Sequence, residues 1–438
     1  MSLSVVILAA GQGTRMKSTT PKVLHEISGK SMLFHAIDAA QKLSDDITVV
    51  LYHQAERIQA ETEAHYTDIH FHMQDAEKFP GTGGAMKGVE VAHEKALILN
   101  GDMPLVTMDA LGALTQGDAD INMSVIKLDN PAGYGRVVIL GDKVQEIVEE
   151  KDCIPAQKEI QTVNAGVYCV KKEILDFYIP ALNNYNAQKE YYLTDIIKMA
   201  VEEGKSVHPV IVNEEEFKGV NSKIDLAHAE EIMQRRIKTA WMQAGVSMRL
   251  PETIYIDSRA TFEGECMLEN GVSIQGASRI IASHIKTHSV VESSHIENSD
   301  VGPMGRVRPA STLIDTHIGN FVEVKKSTLT GVKAGHLAYI GDATIEEGSN
   351  IGAGVITCNY DGKNKYQTHI GKNVFVGSDT QLVAPVTIPD DVMIAAGTTV
   401  TKNVEQGDLV LSRSAQKSIK NFFYKFFLKE SDKHKGKA

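Results

Sequence analysis

Residues Leu8 to Lys22 read LAAGQGTRMKSTTPK, and the organisation of the first half of the chain follows from them. The apolar run Val5-Val6-Ile7-Leu8 has the character of a buried parallel strand. It empties into small residues and two glycines, Gly11 and Gly13, and then meets Arg15 and Lys22. Small side chains at Ala9, Ala10 and Gly11 let backbone N–H groups approach an anion closely, and such a loop is expected to open a helix whose N-terminus favours negative charge. An arginine and a lysine on the same loop add neutralising charge for a polyphosphate. A bare GxG would be no more than a tight α/β turn. Thr14-Arg15-Met16 followed by Pro21-Lys22 tips the reading towards a dedicated phosphate loop.

Outward from this loop, β-rich apolar runs recur at 47–52, 69–73, 96–99, 121–128, 137–147, 167–170 and 207–212. Helical patterns lie between several of them, at Met32–Leu43 and Leu193–Val201 for example. Alternation of this kind predicts a mostly parallel sheet covered on both faces, with ligands beyond the carboxyl ends of its strands. The informative residues fall at those ends: Asn100-Gly101-Asp102 after 96–99, Gln74 after 69–73, and then Gly81-Thr82-Gly83-Gly84. A lone Asp after a strand is usually a cap or turn residue. Beside a phosphate loop, Asp102 is also placed to hold a hard cation, because magnesium takes only one or two protein oxygens.

From Leu226 to Ala244 apolar residues repeat with a three-or-four step, one face of an amphipathic connector helix that Gly245 stops. Beyond it the period changes to six. Ile370, Val376, Leu382, Ile388, Ile394 and Val400 keep it strictly; Phe262, Leu268, Ile274 and Ile280 hold it upstream, and so do the pairs Ile318–Val324 and Ile345–Ile351. That period fits a hexapeptide β-helix, each hexad one side of a triangular coil with its aliphatic residue inward. Hexads between Pro251 and Pro309 are degenerate, as if one coil were missing. The register also fails after Ile351, where TCNYDGKNKYQ intervenes, and around Ala334–Tyr339.

A length of 438 residues allows two or three domains. The net charge of −11 argues against a nucleic-acid partner. No apolar stretch reaches membrane-spanning length and no secretory leader is evident, and Cys153, Cys169, Cys266 and Cys358 are scattered, so a reducing cytoplasm is expected. The tail from Lys417 to Ala438 carries seven lysines, two acids and a cluster of aromatic residues. It suits either docking on a neighbouring coil or contact with an anionic membrane.

Two sets of motifs carry a resemblance over about residues 3–413. LAAGQGTRM with Pro21-Lys22, GDMP at 101–104, GYGR at 133–136, IVEEKD at 147–152, NAG at 164–166 and GVN at 219–221 resemble sugar-1-phosphate nucleotidylyltransferases of the uridylyl branch. GNFVEVKK at 319–326, KAGHLAYIGDA at 333–343 and NIGAGVITCNYDGKNK at 350–365 resemble the acetyltransferase half of bifunctional N-acetylglucosamine-1-phosphate uridylyltransferase/glucosamine-1-phosphate N-acetyltransferases. The resemblance implies a Rossmann-like α/β nucleotidyltransferase domain at 1–222, a linker helix at 223–247, a left-handed β-helix acetyltransferase domain at 248–413 and a basic aromatic tail at 414–438. It implies a cytoplasmic homotrimer acting on UTP, acetyl-coenzyme A, glucosamine 1-phosphate and N-acetylglucosamine 1-phosphate, with Mg2+ as cofactor.

Residue by residue, the resemblance assigns UTP to Leu8, Ala9, Ala10, Gly11, Arg15, Lys22, Gln74, Gly81, Thr82, Asn100, Gly101 and Asp102, with Arg15 and Lys22 catalytic. Gly135, Glu149, Asn164 and Asn221 complete the implied UTP/UDP-N-acetylglucosamine site, and the metal falls to Asp102 and Asn221. His336 is the implied general base. Arg308, Lys325, Tyr339, Asn350 and Lys365 are implied to bind glucosamine 1-phosphate. Ala353, Asn359, Tyr360, Ser378, Ala396 and Arg413 are implied to bind acetyl-coenzyme A. Glu323 is a candidate to orient His336. Two departures stand out: Gly84 replaces the usual His of GTGHA, and Asn100 a common Tyr. The competing readings are a nucleotidylyltransferase whose β-helix only oligomerises or regulates, and a purely structural hexapeptide protein. His336 with the CNYDG insert opposes the first, and the intact phosphate loop opposes the second.

Overall fold

The computed structural model describes residues 3–186 and 188–427. The chain divides into two compact units, Met1–Ala244 with Ile256–Arg259, and Gly245–Tyr255 with Ala260–Ala438.

The first unit is built on a nine-stranded sheet. Its main path runs Val207–Ile211, Ile121–Lys127, Thr162–Lys171, Lys95–Asn100, Leu3–Leu8, Asp46–Leu51, Ile69–Met73. Every pairing on that path is parallel except those of Thr162–Lys171, which runs against both its neighbours. Strand pleat explains the two cores. Leu3, Val5 and Ile7 point into one apolar cluster with Leu33, Ile37 and Val49, whereas Val6 points into the other with Ile98, Met123 and Tyr178. All are buried, each worth about 1.5–3 kcal/mol for a large aliphatic side chain. A helix on either face supplies the cover, Met32–Gln41 on the first and Asp195–Glu202 on the second.

Two local expectations change. The run 137–147 is not one strand but the hairpin Arg136–Leu140 and Lys143–Val148, because Gly141 at φ +65 reverses the chain between them. No α-helix opens at the phosphate loop either. Thr14–Met16 and Lys22–Leu24 are single 3-10 turns, and the left-handed residues Gly13 and Lys17 flank the first and prevent its extension. The helix Lys223–Gln243 packs into this unit: Ala229 and Ile232 join a small core with Ile27, Met32, Leu105 and Val220.

The second unit is a left-handed parallel β-helix whose strands form three sheets of ten, nine and eight among the described residues, every third strand joining the same sheet. The degenerate hexads have a simple resolution. Inward residues continue without a break through Ile274, Ile280, Ile285, Val291, Ile296, Val301 and Val307, all fully buried. Some sides use five residues instead of six, which hides the period. Each shortened side turns through one left-handed residue, Ala282, Ser293 and Asn298 among them. After Ile351 the inward position passes to Thr357, whose buried hydroxyl donates to the Gly341 carbonyl (3.0 Å) and accepts from the Gly341 N–H (2.7 Å). The ladder then resumes, Ile345 pairing with Ile370 and Ile351 with Val376.

Candidate functional sites

The first site lies beyond the carboxyl ends of the central strands. A cavity of about 500 Å³ is lined by Leu8–Gln12, Lys22, Gln74, Gly81, Thr82, Asn100 and Asp102, among others. Parallel pairing sets these groups side by side: Leu8 is level with Val50 on one flank and Asn100 on the other. A methyl group on Gly13 would lie 2.5 Å from the Lys22 Cβ, so glycine there lets the lysine fold back over the loop. Lys22 then places its ammonium between the carboxylate of Asp102, in a short ion pair, and the Asn221 side-chain oxygen at 2.6 Å. Arg15 reaches the same Asn221 oxygen at 2.8 Å. Asn221 is carried to Asp102 by the backbone, the Val220 N–H donating to the Asp102 carbonyl (2.9 Å).

Gln74 is nearly buried, and its amide N–H2 donates to the carbonyls of Phe79 (2.9 Å) and Gly81 (3.2 Å). That orientation turns its side-chain oxygen into an acceptor for an imide N–H such as that of uracil. Gly84 has a local reason: a Cβ there would lie 2.0 Å from the Phe79 carbonyl oxygen, so in this chain the backbone fills the space of a side chain. Asn100 donates to the Gly166 carbonyl (3.3 Å).

A second, smaller cavity of about 170 Å³ shares Leu8, Thr82 and Asn100 with the first and adds Glu149, Asn164, Tyr168, Tyr192 and Thr194. Asn164 donates to the Tyr168 hydroxyl (2.6 Å), and Thr194 donates to Glu149 (3.3 Å). Gly135 faces Glu149 closely; a Cβ there would lie 3.3 Å from the carboxylate. Burial pushes the Glu149 carboxyl above the usual carboxylate range, and the negative charges of Asp152 and Asp195 add to the rise. Tyr168, Tyr192 and Thr194 were not picked out from the sequence. The signal for Tyr192 and Thr194 is the run Tyr191-Tyr192-Leu193-Thr194, whose backbone clasps the GTGG turn through the Gly83 N–H and Tyr191 carbonyl (2.8 Å).

In the second unit, neighbouring coils gather cations. Glu323 and Tyr339 are register partners, as are Lys325 and Gly341. Glu323 accepts from Arg308 at 2.9 Å, and no bond to His336 is among its contacts; its carboxylate orients the arginine, not the histidine. The adjacent Lys325 ammonium holds Lys365 below the usual lysine range, the expected penalty for two like charges kept together. The CNYDG insert is a pinned hairpin. Asp361 accepts from the N–H groups of Lys363 (2.7 Å) and Asn364 (2.6 Å), and Tyr360 pairs with Lys365 across it. Asn359 donates to the buried Asp342 at 2.5 Å, and Tyr360 stands exposed. His336 is exposed at the end of strand Lys333–His336, opposite Asn320 in register.

Ala353, Ser378 and Ala396 occupy one column, each two residues beyond a laddered inward residue (Ile351, Val376, Ile394). Arg413 donates to the Ala396 carbonyl at 3.3 Å, at the end of that column. Asn350 pairs with Phe375 in the ladder, a coil away from the Lys365 hairpin's return. In the tail, Phe422–Phe427 is a short helix with exposed aromatic rings, and its continuation, 428–438, lies outside the described residues.

Whether a divalent cation fits can be judged from the oxygens alone. Among the described residues no group of three or more His, Cys, Asp or Glu gathers to hold a metal. Asp102 and Asn221 nevertheless converge on one point, and a positive charge, the Lys22 ammonium, sits there. Two protein oxygens leave coordination positions for phosphate and water, as magnesium prefers.

A nucleotide-binding α/β unit with a phosphate loop, followed by a hexapeptide β-helix with a cationic site, defines a two-site transferase. Residues 5–159 match the MobA-like NTP transferase domain, and residues 367–402 match six repeats of the bacterial transferase hexapeptide. The chain is 74% identical to the bifunctional protein GlmU of a Sulfurovum species, over 98% of this chain and 99% of that one. It is 60% identical to the bifunctional protein GlmU of a Nitratiruptor species over the same shares, and 59% identical to that of Aliarcobacter butzleri over 97% and 98%. The chain belongs to the bifunctional GlmU family.

Proposed function

We propose that the two sites run consecutive reactions ending in UDP-N-acetylglucosamine. The β-helix unit transfers acetyl from acetyl-coenzyme A to the amine of glucosamine 1-phosphate. The α/β unit then joins N-acetylglucosamine 1-phosphate to the uridylyl group of UTP and releases pyrophosphate. The observation that carries this reading is the coexistence, in one chain, of Lys22, Asp102 and Asn221 on one point and of Arg308, Lys325 and Lys365 grouped along Tyr339–Gly341, the strand that follows His336.

In acetyl transfer the sugar ammonium must lose a proton before its nitrogen can attack the thioester carbonyl. His336, exposed at a strand end, takes that proton, and the coenzyme leaves as its thiolate. Arg308, Lys325 and Lys365 hold the sugar phosphate, with Tyr339 and Asn350 against the ring. Asn359, Tyr360 and the column Ala353, Ser378 and Ala396 seat the coenzyme, and Arg413 meets its phosphates.

In uridylyl transfer a phosphate oxygen of the sugar attacks the α-phosphorus of UTP, and the bond to pyrophosphate breaks. No covalent protein intermediate is needed; positioning and charge neutralisation carry the catalysis. The backbone of Leu8–Gly11 and the side chains of Arg15 and Lys22 neutralise the triphosphate. Gln74, Gly81 and Thr82 read the base, with Asn100 and Gly101 at its sugar. Gly135, Glu149 and Asn164 hold N-acetylglucosamine. Asp102 and Asn221 would hold magnesium, which would supply Lewis-acid neutralisation of the phosphates.

An assay with glucosamine 1-phosphate, acetyl-coenzyme A, UTP and magnesium, following both acetylated sugar and UDP-sugar, tests the whole reading. Appearance of neither product would overturn it. The pH response of the sugar site follows from Glu149. Its raised carboxyl is ionised only above an elevated pKa, so a hydrogen bond from a sugar hydroxyl to the carboxylate weakens as pH falls through that range. The KM for N-acetylglucosamine 1-phosphate should therefore rise on mild acidification more than in a Glu149→Gln variant, which controls for titration of the sugar phosphate itself. Parallel profiles for the two would remove Glu149 from the site.

We also place the protein in the cytoplasm as a homotrimer. Flat-sided prisms close into a ring by cyclic symmetry, and a cleft between neighbours supplies the concavity that a long coenzyme needs. Sedimentation is expected to show a trimer whose dissociation abolishes acetylation. A monomer that acetylates fully would refute the shared site.

A further inference from the structure

The GYGR segment contains a buried charge that none of the steps above uses. Arg136 is 2% exposed, the largest of the fully buried side chains. Its guanidinium holds three separate pieces of chain. It donates to the Tyr134 carbonyl through a short bond, pairs with the Glu150 carboxylate at 2.7 Å, and lies 3.5 Å from the Lys158 carbonyl. Arg136 itself is anchored in the sheet, opposite Val148 and Val163.

Those contacts surround the sugar residues without including them. Tyr134 precedes Gly135, Glu150 follows Glu149, and the Asn164 N–H donates to the Gly135 carbonyl at 2.9 Å. The bond from Arg136 to Glu150 is the main cause of that carboxyl's lowered pKa. The link from Arg136 to Glu149 runs through the neighbouring Glu150 and the turn before Gly135. A guanidinium donates in a fixed planar fork, so it sets the spacing of the groups it bridges in a way a lysine cannot.

We propose that the Arg136–Glu150 pair is a positioning strut: it fixes the spacing between the Gly133–Arg136 turn and the Val148–Glu150 strand end, and thereby the fit of the sugar phosphate between Gly135 and Glu149. The inference rests on the assignment of N-acetylglucosamine to that cavity. A strut of this kind governs sugar affinity and orientation, while the uridine end of the site, built on Leu8–Gly11 and Gln74, is independent of it.

The test is steady-state uridylyl transfer by the full chain. Arg136→Lys and Glu150→Gln are each expected to raise the KM for N-acetylglucosamine 1-phosphate about tenfold or more, with the KM for UTP changed less than about twofold and acetyl transfer unchanged. A merely structural pair is separated by the variant carrying Arg136→Met with Glu150→Met, because removing both members at once leaves no charge buried without its partner. A wild-type melting temperature with the sugar KM still raised supports the strut. Recovery of the KM along with the melting temperature overturns it, as does an equal rise in both KM values. Glu149→Ala run alongside separates the two levels. If it leaves the sugar KM unchanged, the sugar assignment itself fails; if it raises that KM while the Arg136 and Glu150 variants do not, only the strut fails.

Discussion

Replacing His336 with alanine is expected to slow acetyl transfer by about two to four orders of magnitude, the usual contribution of a positioned general base. UDP-sugar synthesis from ready-made N-acetylglucosamine 1-phosphate should continue at the wild-type rate. The reasoning is chemical. At neutral pH the sugar amine is largely an ammonium, and an imidazole is suited to accept its proton. The side chain is exposed at a strand end, so removing it leaves no cavity and the coils above and below keep their rungs. Loss of rate therefore reports chemistry and not unfolding. The decisive measurement is the pH profile of acetylation in both proteins. The variant should lose the neutral limb and regain rate only as alkaline conditions deprotonate the amine. An unchanged rate at neutral pH would remove His336 from the reaction and restore the view that the β-helix is scaffold.

Asp102→Ala should produce the mirror image: UDP-sugar formation falling by about a thousandfold or more, with acetylation intact. Asp102 is the carboxylate on which Lys22 closes, and Asn221 shares the same point. Without it the site loses its anionic ligand for a cation, and the Lys22 ammonium loses the partner that holds it over the phosphate loop. Measuring the remaining activity across magnesium concentrations gives a second readout. A site that has lost a ligand should need far more magnesium, whereas a disordered loop should not respond. If acetylation fell equally in a folded variant, the two-site reading would be wrong.

Much of this was legible from residue order. Parallel strands bring their carboxyl ends together, so Leu8, Gln74 and Asp102 could be grouped before any coordinates, and the structure sets them around one cavity. Strict hexads at 370–400 likewise announced the coils. What escaped reading has a physical cause in each case. The shortened sides of the β-helix look like decay of the repeat because a corner needs one left-handed residue, and Ala282, Ser293 and Asn298 do that work where a glycine would have been noticed. The phosphate loop was expected to open a helix, but φ values are invisible in LAAGQGTRM, and Gly13 with Lys17 stops the turn after three residues. Glu323 is a candidate to orient His336 in the sequence, whereas the ladder puts it against Arg306 and Tyr339 and within reach of Arg308.

The hairpin that interrupts the coils has one more consequence. It leaves after Cys358 and returns by Thr368, and the rungs on either side, Tyr339 with Ile356 and Ile345 with Ile370, meet as though it were absent. Its own shape comes from Asp361 and the Tyr360–Lys365 pairing, not from the prism. Excursions of this kind can lengthen, shorten or change composition while the load on the ladder stays constant. Selection can thus retune what the prism accepts by rewriting the exposed positions 360–365 and 367, while the buried Asn359–Asp342 bond keeps the excursion tied to the ladder.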